Sequence, residues 1–262
     1  MKVMILCGGQ GTRLREHTEI RPKPMVEIGG RPILWHIMKL YAHYDLNDFI
    51  LCLGYKANLI KEYFLNYEAM NGDFTLKLGE PDSIRYHGAR HSEAGWKVTL
   101  AYTGEAAMTG ARIKRAAPYL GKRAGTFCVT YGDGVADVDL RKVLAFHKAH
   151  GRLATITGVR PPSRFGEMEV DGSRVVSFSE KSQVGQGMIN GGFFFFEPAF
   201  LAYLADEEGC LLERGPLERC AKDDQLRVYE HAGYWQCMDT YRDWEALERQ
   251  WQNGQAPWKV WR

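Results

Sequence analysis

Val3-Met4-Ile5-Leu6-Cys7-Gly8-Gly9-Gln10-Gly11-Thr12-Arg13-Leu14 is the stretch on which the fold turns. Val3 to Cys7 is a short, continuous apolar run, the pattern of a strand buried on both faces. Gly8-Gly9 closes it, so the strand feeds directly into a glycine-rich loop. Glycines there let the backbone take positive φ and bring its N–H groups close to a phosphate chain, with no Cβ in the way. Arg13 adds a forked, permanently charged donor suited to phosphate oxygens. A βα turn that merely contains glycines is the plain alternative for this run alone. The run lacks the Gly-Lys-Ser/Thr ending of a Walker A loop. A dinucleotide site would need an acidic residue at the end of the second strand, and that strand closes instead on Leu53-Gly54.

Outward from this loop, strand and helix alternate. Pro32 to Tyr44 carries Ile33, Leu34, Ile37, Met38, Leu40 and Tyr41 at helical spacing, with Pro32 placed for a first turn. Phe49–Leu53 is again a buried-strand run, and Lys56–Tyr67 returns to helical periodicity. Short links between such elements predict a parallel sheet covered on both faces. Residues 71–97 break the rhythm and read as an excursion from the sheet, either a loop or an oligomer contact. Further strands are expected at Val98–Tyr102, Thr126–Thr130 and Leu153–Val159, and helices at Arg112–Leu120 and Leu140–His150. In the second half, Asp171-Gly172 between Met168–Val170 and Val175–Phe178 signals an antiparallel hairpin. Met188–Phe196 is apolar apart from Asn190-Gly191-Gly192, Leu226–Glu230 suits a strand, and Thr240–Trp251 suits a closing helix. One domain is expected over 1–262, with an α/β core at about 1–159 and 236–262 and an antiparallel elaboration at about 160–235.

Composition narrows the function. The 262 residues are 45% hydrophobic, ample for one core. With 34 basic and 32 acidic residues the net charge is +2, which gives no reason to expect a nucleic-acid or membrane surface. Six scattered cysteines without a C-x-x-C pair predict neither a disulfide framework nor a zinc site. No signal-peptide pattern and no apolar stretch near the roughly 20 residues of a spanning helix is found, so a reducing cytoplasm is the default expectation.

Two further patterns bear chemistry. Lys23 lies between Pro22 and Pro24, a restricted backbone that holds an ammonium ready for charge developing on phosphorus. Tyr131-Gly132-Asp133-Gly134 closes an apolar strand, where a carboxylate can approach a magnesium-bound phosphate. Asp239, just before the last helix, fits an N-terminal cap by position alone. Asp137 and Asp139 open the preceding helix and suit its dipole. Glu180-Lys181 at a strand end fits a solvated edge, and Asn190-Gly191-Gly192 fits either a bulge or a close ligand approach.

Gly8-Gly9-Gln10-Gly11-Thr12-Arg13-Leu14 followed by Pro22-Lys23-Pro24 resembles the N-terminal signature of the sugar-1-phosphate nucleotidyltransferases. Trp96–Leu100, Thr103-Gly104, Met108–Arg112, Tyr131–Asp137, Asn190–Phe194 and Ala256–Lys259 resemble the glucose-1-phosphate cytidylyltransferase branch, and the likeness runs end to end, weakest over about 74–95. The resemblance implies a Rossmann-like, mixed but mainly parallel sheet flanked by helices, with an antiparallel sugar-binding elaboration. It implies that Gly8, Gly9, Gln10, Gly11 and Thr12 wrap a triphosphate, with Arg13 and Lys23 catalytic at the α-phosphate. Leu6, Gly8, Arg112 and Gly132 would read the base. Asp133 and Asp239 would hold Mg²⁺, which turns the reading of Asp239 from cap to ligand. Glu180, Lys181, Asn190 and Gly191 would bind the sugar phosphate, though Ser182 stands where the family commonly has proline. Ala107 stands where a small hydroxyl residue is expected near the nucleotide.

The implied partners are CTP and glucose 1-phosphate, in a homo-oligomer such as relatives form. The resemblance implies in-line attack by the sugar-phosphate oxygen on the α-phosphorus, with pyrophosphate leaving; the nucleophile would already be an anion, so no general base is expected. None of the eight histidines is assigned a role; His36 and His147 sit in helical runs. A thymidylyl- or uridylyltransferase, and a non-catalytic nucleotide-sensing subunit, are the alternatives; the latter would be expected to lose the Arg, Lys or Asp set kept here. Residue types do not decide the base, because uracil and thymine carry the same carbonyl oxygen that an arginine reads in cytosine.

Overall fold

The computed structural model describes residues 1–14, 18–88, 91–161, 167–171, 173–179 and 187–261. Within them a seven-stranded sheet is built from β1 (Lys2–Cys7), β2 (Asp48–Leu53), β3 (Lys97–Tyr102), β4 (Phe127–Tyr131), β5 (Ala154–Val159), β6 (Ile189–Phe196) and β7 (Leu226–His231). Their spatial order is β7-β5-β6-β4-β1-β2-β3. β1 is parallel to β2 and β4, β2 to β3, and β5 to β7. Only β6 runs against its neighbours, β5 and β4. The mixed, mainly parallel sheet expected from the sequence is therefore present.

Burial explains why the strands read as unbroken apolar runs. Val3, Ile5, Cys7, Phe49, Leu51, Leu53, Cys128, Phe193 and Phe195 enter one core, and Met4, Leu6, Ile50, Cys52, Phe127, Val129, Phe194 and Phe196 the other. Successive residues point to opposite faces, so a sheet covered on both sides needs apolar residues at every position. Helices α1 (Ile33–His43), α2 (Ala57–Leu65), α5 (Leu140–His150) and α7 (Tyr241–Gln252) contribute to the first core, with α3 (Tyr67–Asn71) following α2. Helices α4 (Thr109–Ala116) and α6 (Pro216–Lys222) contribute to the second. Among the described residues no helix is long and apolar enough to cross a membrane.

Three sequence expectations change. The helix expected at 112–120 begins at Thr109, and Pro118 confines its end to a 3₁₀ turn, Ala117–Leu120. Residues 71–97 contain a β-hairpin, Asp73–Lys77 paired with Glu80–His87, outside the main sheet. Every residue of its first strand is exposed, so it buries no face and leaves no core pattern to read. The elaboration placed at about 160–235 is the third. The hairpin Glu167–Asp171 with Arg174–Ser179 does form a separate sheet, but β6 and β7, from the same span, belong to the main sheet. β6 does so because its phenylalanines are buried on both faces.

Candidate active site

β1 and β4 are neighbours, so their carboxyl ends deliver the glycine loop and Gly132 side by side, with Gly132 N–H donating to Leu6 O at 3.1 Å. A cavity of about 480 Å³ opens at this edge, the place where parallel α/β sheets carry ligands. Of the residues singled out in the sequence, Leu6, Gly8, Gly9, Gly11, Thr12, Arg13, Lys23, Arg112, Gly132, Asp133 and Asp239 line it. Gln10 belongs to the same loop but not to the lining.

Two distant aspartates meet through a short ribbon. Trp235–Cys237 pairs antiparallel with Gly134–Ala136, and Met238 N–H donates to Asp133 O at 2.9 Å, which carries Asp239 alongside Asp133. Lys23, flanked by its two prolines, rises between them from the 3₁₀ turn Lys23–Met25, with Val26 N–H closing the turn on Lys23 O at 3.1 Å. Its Nζ lies 2.6 Å from Asp133 Oδ2 and 2.7 Å from Asp239 Oδ1. Burial, the largest single influence, would lower the Lys23 pKa; Asp133 and then Asp239 outweigh it and raise it above the ordinary lysine value. Arg13 NH1 adds a 2.9 Å contact to Asp239 Oδ2 from a largely exposed position. Two carboxylates are thus matched by two cations. The helix that follows is capped by Thr240 and Asp243, not by Asp239: Thr240 Oγ1 accepts from Asp243 N–H, while Asp243 Oδ2 accepts from the N–H groups of Asp239 and Thr240. Position alone had suggested Asp239 as the cap; the box formed one residue later leaves its carboxylate turned to Lys23. Asp139 does cap α5, accepting from Arg141 and Lys142 N–H, and Asp137 Oδ1 lies 3.0 Å from His231 Nε2.

The loop glycines serve different purposes. Only Gly11 has positive φ, at 64°, and a Cβ there would also press on Thr18 and Lys23. At Gly8 the reason is space: a Cβ would stand 2.1 Å from the Arg112 guanidinium, and one at Gly54 would stand 2.4 Å from it. Positive φ, expected for the loop as a whole, is therefore confined to one residue. Arg112 is buried, and its terminal N–H groups reach Gly8 O (2.9 Å), Leu53 O (3.1 Å), Thr103 Oγ1 (2.9 Å), Gly104 O (2.7 Å) and Glu105 O (3.1 Å). Desolvation lowers its pKa, and it is in no ion pair among the described residues. It is a cation held by carbonyl dipoles beside the cavity. Donation to a base carbonyl, expected from the sequence, would have to use a group now turned to the backbone.

On the sugar side, Glu180, Lys181 and Ser182 lie outside the described residues. Asn190 and Gly191 are each bonded to a residue of the lining. Asn190 Nδ2 donates to Tyr131 Oη at 2.9 Å, and Trp235 Nε1 donates to Gly191 O at 2.7 Å. Gly192, with φ of 81°, lies against the Tyr131 ring, where a Cβ would come within 2.5 Å. A register shift in the β5–β6 ladder marks a bulge at the same place, so bulge and close approach coincide. Tyr131 and Trp235 line the cavity but were not chosen from the sequence; Tyr131 sits inside the quoted Tyr-Gly-Asp-Gly run and Trp235 just before Asp239, so adjacency was the available signal. Thr109 lines it too, and Ala107 is there as a buried methyl.

The family described as nucleotidyl transferase matches residues 2–240. The chain belongs to the nucleotidyl transferase family. Within this family it is 49% identical, over the whole of both chains, to the glucose-1-phosphate cytidylyltransferase of Salmonella typhi. The enzyme of that name from Salmonella typhimurium (strain LT2) gives the same 49% over the whole of both chains. Solved structures share the fold: HddC from Yersinia pseudotuberculosis has a TM-score of 0.64 at 24% identity, covering 95% of this chain and 99% of that one. The inositol-1-phosphate CTP transferase from T. maritima has a TM-score of 0.62 at 14% identity, covering 95% and 96%. The resemblance drawn from the glycine loop and Pro22-Lys23-Pro24 is borne out, and the chain is a nucleotidyltransferase.

Proposed function

We propose that this chain transfers the cytidylyl group of CTP to α-D-glucose 1-phosphate, forming CDP-glucose and pyrophosphate. Full-length identity of 49% to glucose-1-phosphate cytidylyltransferases supports the substrate pair. The single structural observation that carries the chemistry is the Lys23 ammonium held between Asp133 and Asp239 at the mouth of the glycine loop. In the reaction an oxygen of the sugar phosphate forms a bond to the α-phosphorus, and the bond from that phosphorus to the β-phosphate oxygen breaks. Both groups are anions, so the protein's task is to position them and neutralise their charge.

Asp133 and Asp239 suit a magnesium ion: their oxygens are hard donors, they already converge on one cation, and two carboxylates leave places for phosphate and water. When bound, the metal supplies charge neutralisation to the phosphates. Gly8, Gly9, Gln10, Gly11 and Thr12 offer a loop able to approach the triphosphate, while Arg13 and Lys23 stabilise charge on the α-phosphate. Recognition of the base is assigned to Leu6, Gly8, Arg112 and Gly132, and binding of the sugar phosphate to Glu180, Lys181, Asn190 and Gly191. The same reading assigns a homo-oligomer contact to the 73–87 hairpin, where Phe74, Leu76, Leu78, Ile84 and Tyr86 are all exposed. Sedimentation would then show an assembly that charged substitutions at Leu76 and Leu78 convert to monomer.

Pyrophosphate release from four triphosphates against several sugar 1-phosphates tests the activity. CTP with glucose 1-phosphate should exceed every other pair, and a clear preference for UTP or dTTP would sink the cytidylyl assignment.

A further inference from the structure

A carboxylate assigned no role so far joins the two walls of the cavity. Glu213 lies just before α6, partly buried. Its Oε1 accepts the phenolic hydrogen of Tyr131, and its Oε2 accepts from Thr109 Oγ1 at 2.8 Å. Thr109 is the first residue of α4, the helix that carries Arg112, and its Oγ1 in turn accepts Leu212 N–H at 2.8 Å. Tyr131 ends β4, immediately before Gly132-Asp133. One carboxylate thus ties the nucleotide-side helix to the strand that leads to Asp133.

The direction of each hydrogen bond follows from what the groups can do. An ionised carboxylate only accepts, so Tyr131 must donate to it. The phenol oxygen is then left as an acceptor, and it takes Asn190 Nδ2 at 2.9 Å. Asn190 Oδ1 is fixed at its other end by Gly192 N–H at 2.8 Å. Both ends of the amide are therefore set by partners of known polarity, which decides its flip. One amide N–H remains, and it can only donate.

We propose that Glu213 is a positioning residue for the sugar 1-phosphate. Through Tyr131 it holds the Asn190 amide with a donor free for an oxygen of the sugar or its phosphate. This rests on the proposed transfer to a sugar 1-phosphate, whichever sugar that is. The acidic group stands close to a site for anions, an arrangement that opposes binding unless its charge is spent on orienting donors. Here both of its oxygens accept from hydroxyl groups of the cavity wall.

The test uses the full chain with the triphosphate and sugar 1-phosphate that the wild type prefers. Glu213→Ala should raise KM for the sugar 1-phosphate about tenfold, with KM for the triphosphate changed less than about twofold. Tyr131→Phe should do the same, and the double variant should be no worse than either single one, because the two act in one chain of bonds. Glu213→Gln, which keeps the shape and one acceptor, should recover part of the loss, and its melting curve guards against misfolding. Equal rises in both KM values, additive effects, or an unchanged sugar-phosphate KM would overturn the role of Glu213 while leaving the transferase reading intact. No turnover with any pair would remove both.

Discussion

The guanidinium of Arg112 fills the space that a side chain at Gly8 would need, with its Cζ 2.1 Å from the position of a Cβ. Gly8 thereby lets its own carbonyl accept from Arg112 at 2.9 Å, and the same cation ties down Leu53, Gly104 and Glu105. The first loop, the end of β2 and the approach to α4 are fastened by one residue.

Gly8→Ala and Gly9→Ala should therefore differ sharply. A methyl at Gly8 must displace a buried guanidinium bonded through both terminal nitrogens, an overpacking cost of about 1–3 kcal/mol. Nothing lies within 4 Å of a Cβ at Gly9, where the change should stay within about 0.5 kcal/mol. Thermal denaturation of both variants checks this. Equal loss at both positions would mean that backbone conformation, not space, selects glycine here.

Lys23→Ala should cut turnover by about 10²-fold or more, in line with removal of a single preorganised charge from a transition state. The fold should persist, because the flanking turn is held by backbone bonds such as Met25 N–H to Pro22 O at 2.8 Å. The pH dependence adds a second check. The folded pKa of Lys23 is raised above 10.5, so its contribution to stability is complete below that value and is lost only as pH climbs through the folded pKa. Turnover should show no alkaline fall from this residue between about pH 7 and 10. Unchanged turnover in the alanine variant would exclude Lys23 from the reaction.

His36 makes stability sensitive to acid. It is wholly buried in α1, with Nε2 donating to Ile28 O at 2.9 Å and Nδ1 accepting from Trp258 Nε1 at 3.3 Å. A second proton, on Nδ1, would face the Trp258 N–H donor. Burial, the leading cause, lowers its pKa from 6.5 to about 4. The unfolded chain consequently binds the proton first, so stability is complete above pH 6.5 and falls as pH drops toward 4. The full effect is about 3 kcal/mol. His36→Gln can keep a donor for Ile28 and an acceptor for Trp258 without titrating. Urea unfolding at several pH values should show a shallower acid slope in that variant; an identical slope would assign the loss to other groups.

Local patterns announced most of this architecture because a sheet covered on both faces writes itself as apolar runs, Val3–Cys7 above all. The 73–87 hairpin was hidden for the opposite reason: with its first strand exposed throughout, it has no buried face to impose a period. At the site, Arg13, Lys23 and Asp133 were legible from glycines and prolines beside them. Glu213 was not, since a lone Glu in Leu212-Glu213-Arg214 carries no mark of the Thr109 and Tyr131 hydroxyls that only folding brings to it.

Asp139 and Asp239 each precede a helix, and the structure separates their duties. Asp139→Ala removes a side chain that accepts from two N–H groups of α5 and should cost about 1 kcal/mol, with turnover unaffected. Asp239→Ala should leave α7 intact, because Thr240 and Asp243 form its cap, yet it should abolish most turnover and weaken Mg²⁺ dependence. In that variant Lys23 and Arg13 both lose a carboxylate they hold at 2.7 and 2.9 Å. Helix content by circular dichroism, read beside pyrophosphate release across a magnesium titration, distinguishes the two. Should Asp239→Ala keep its activity and lose helix instead, the residue is a cap after all and the second carboxylate of the site must be sought elsewhere.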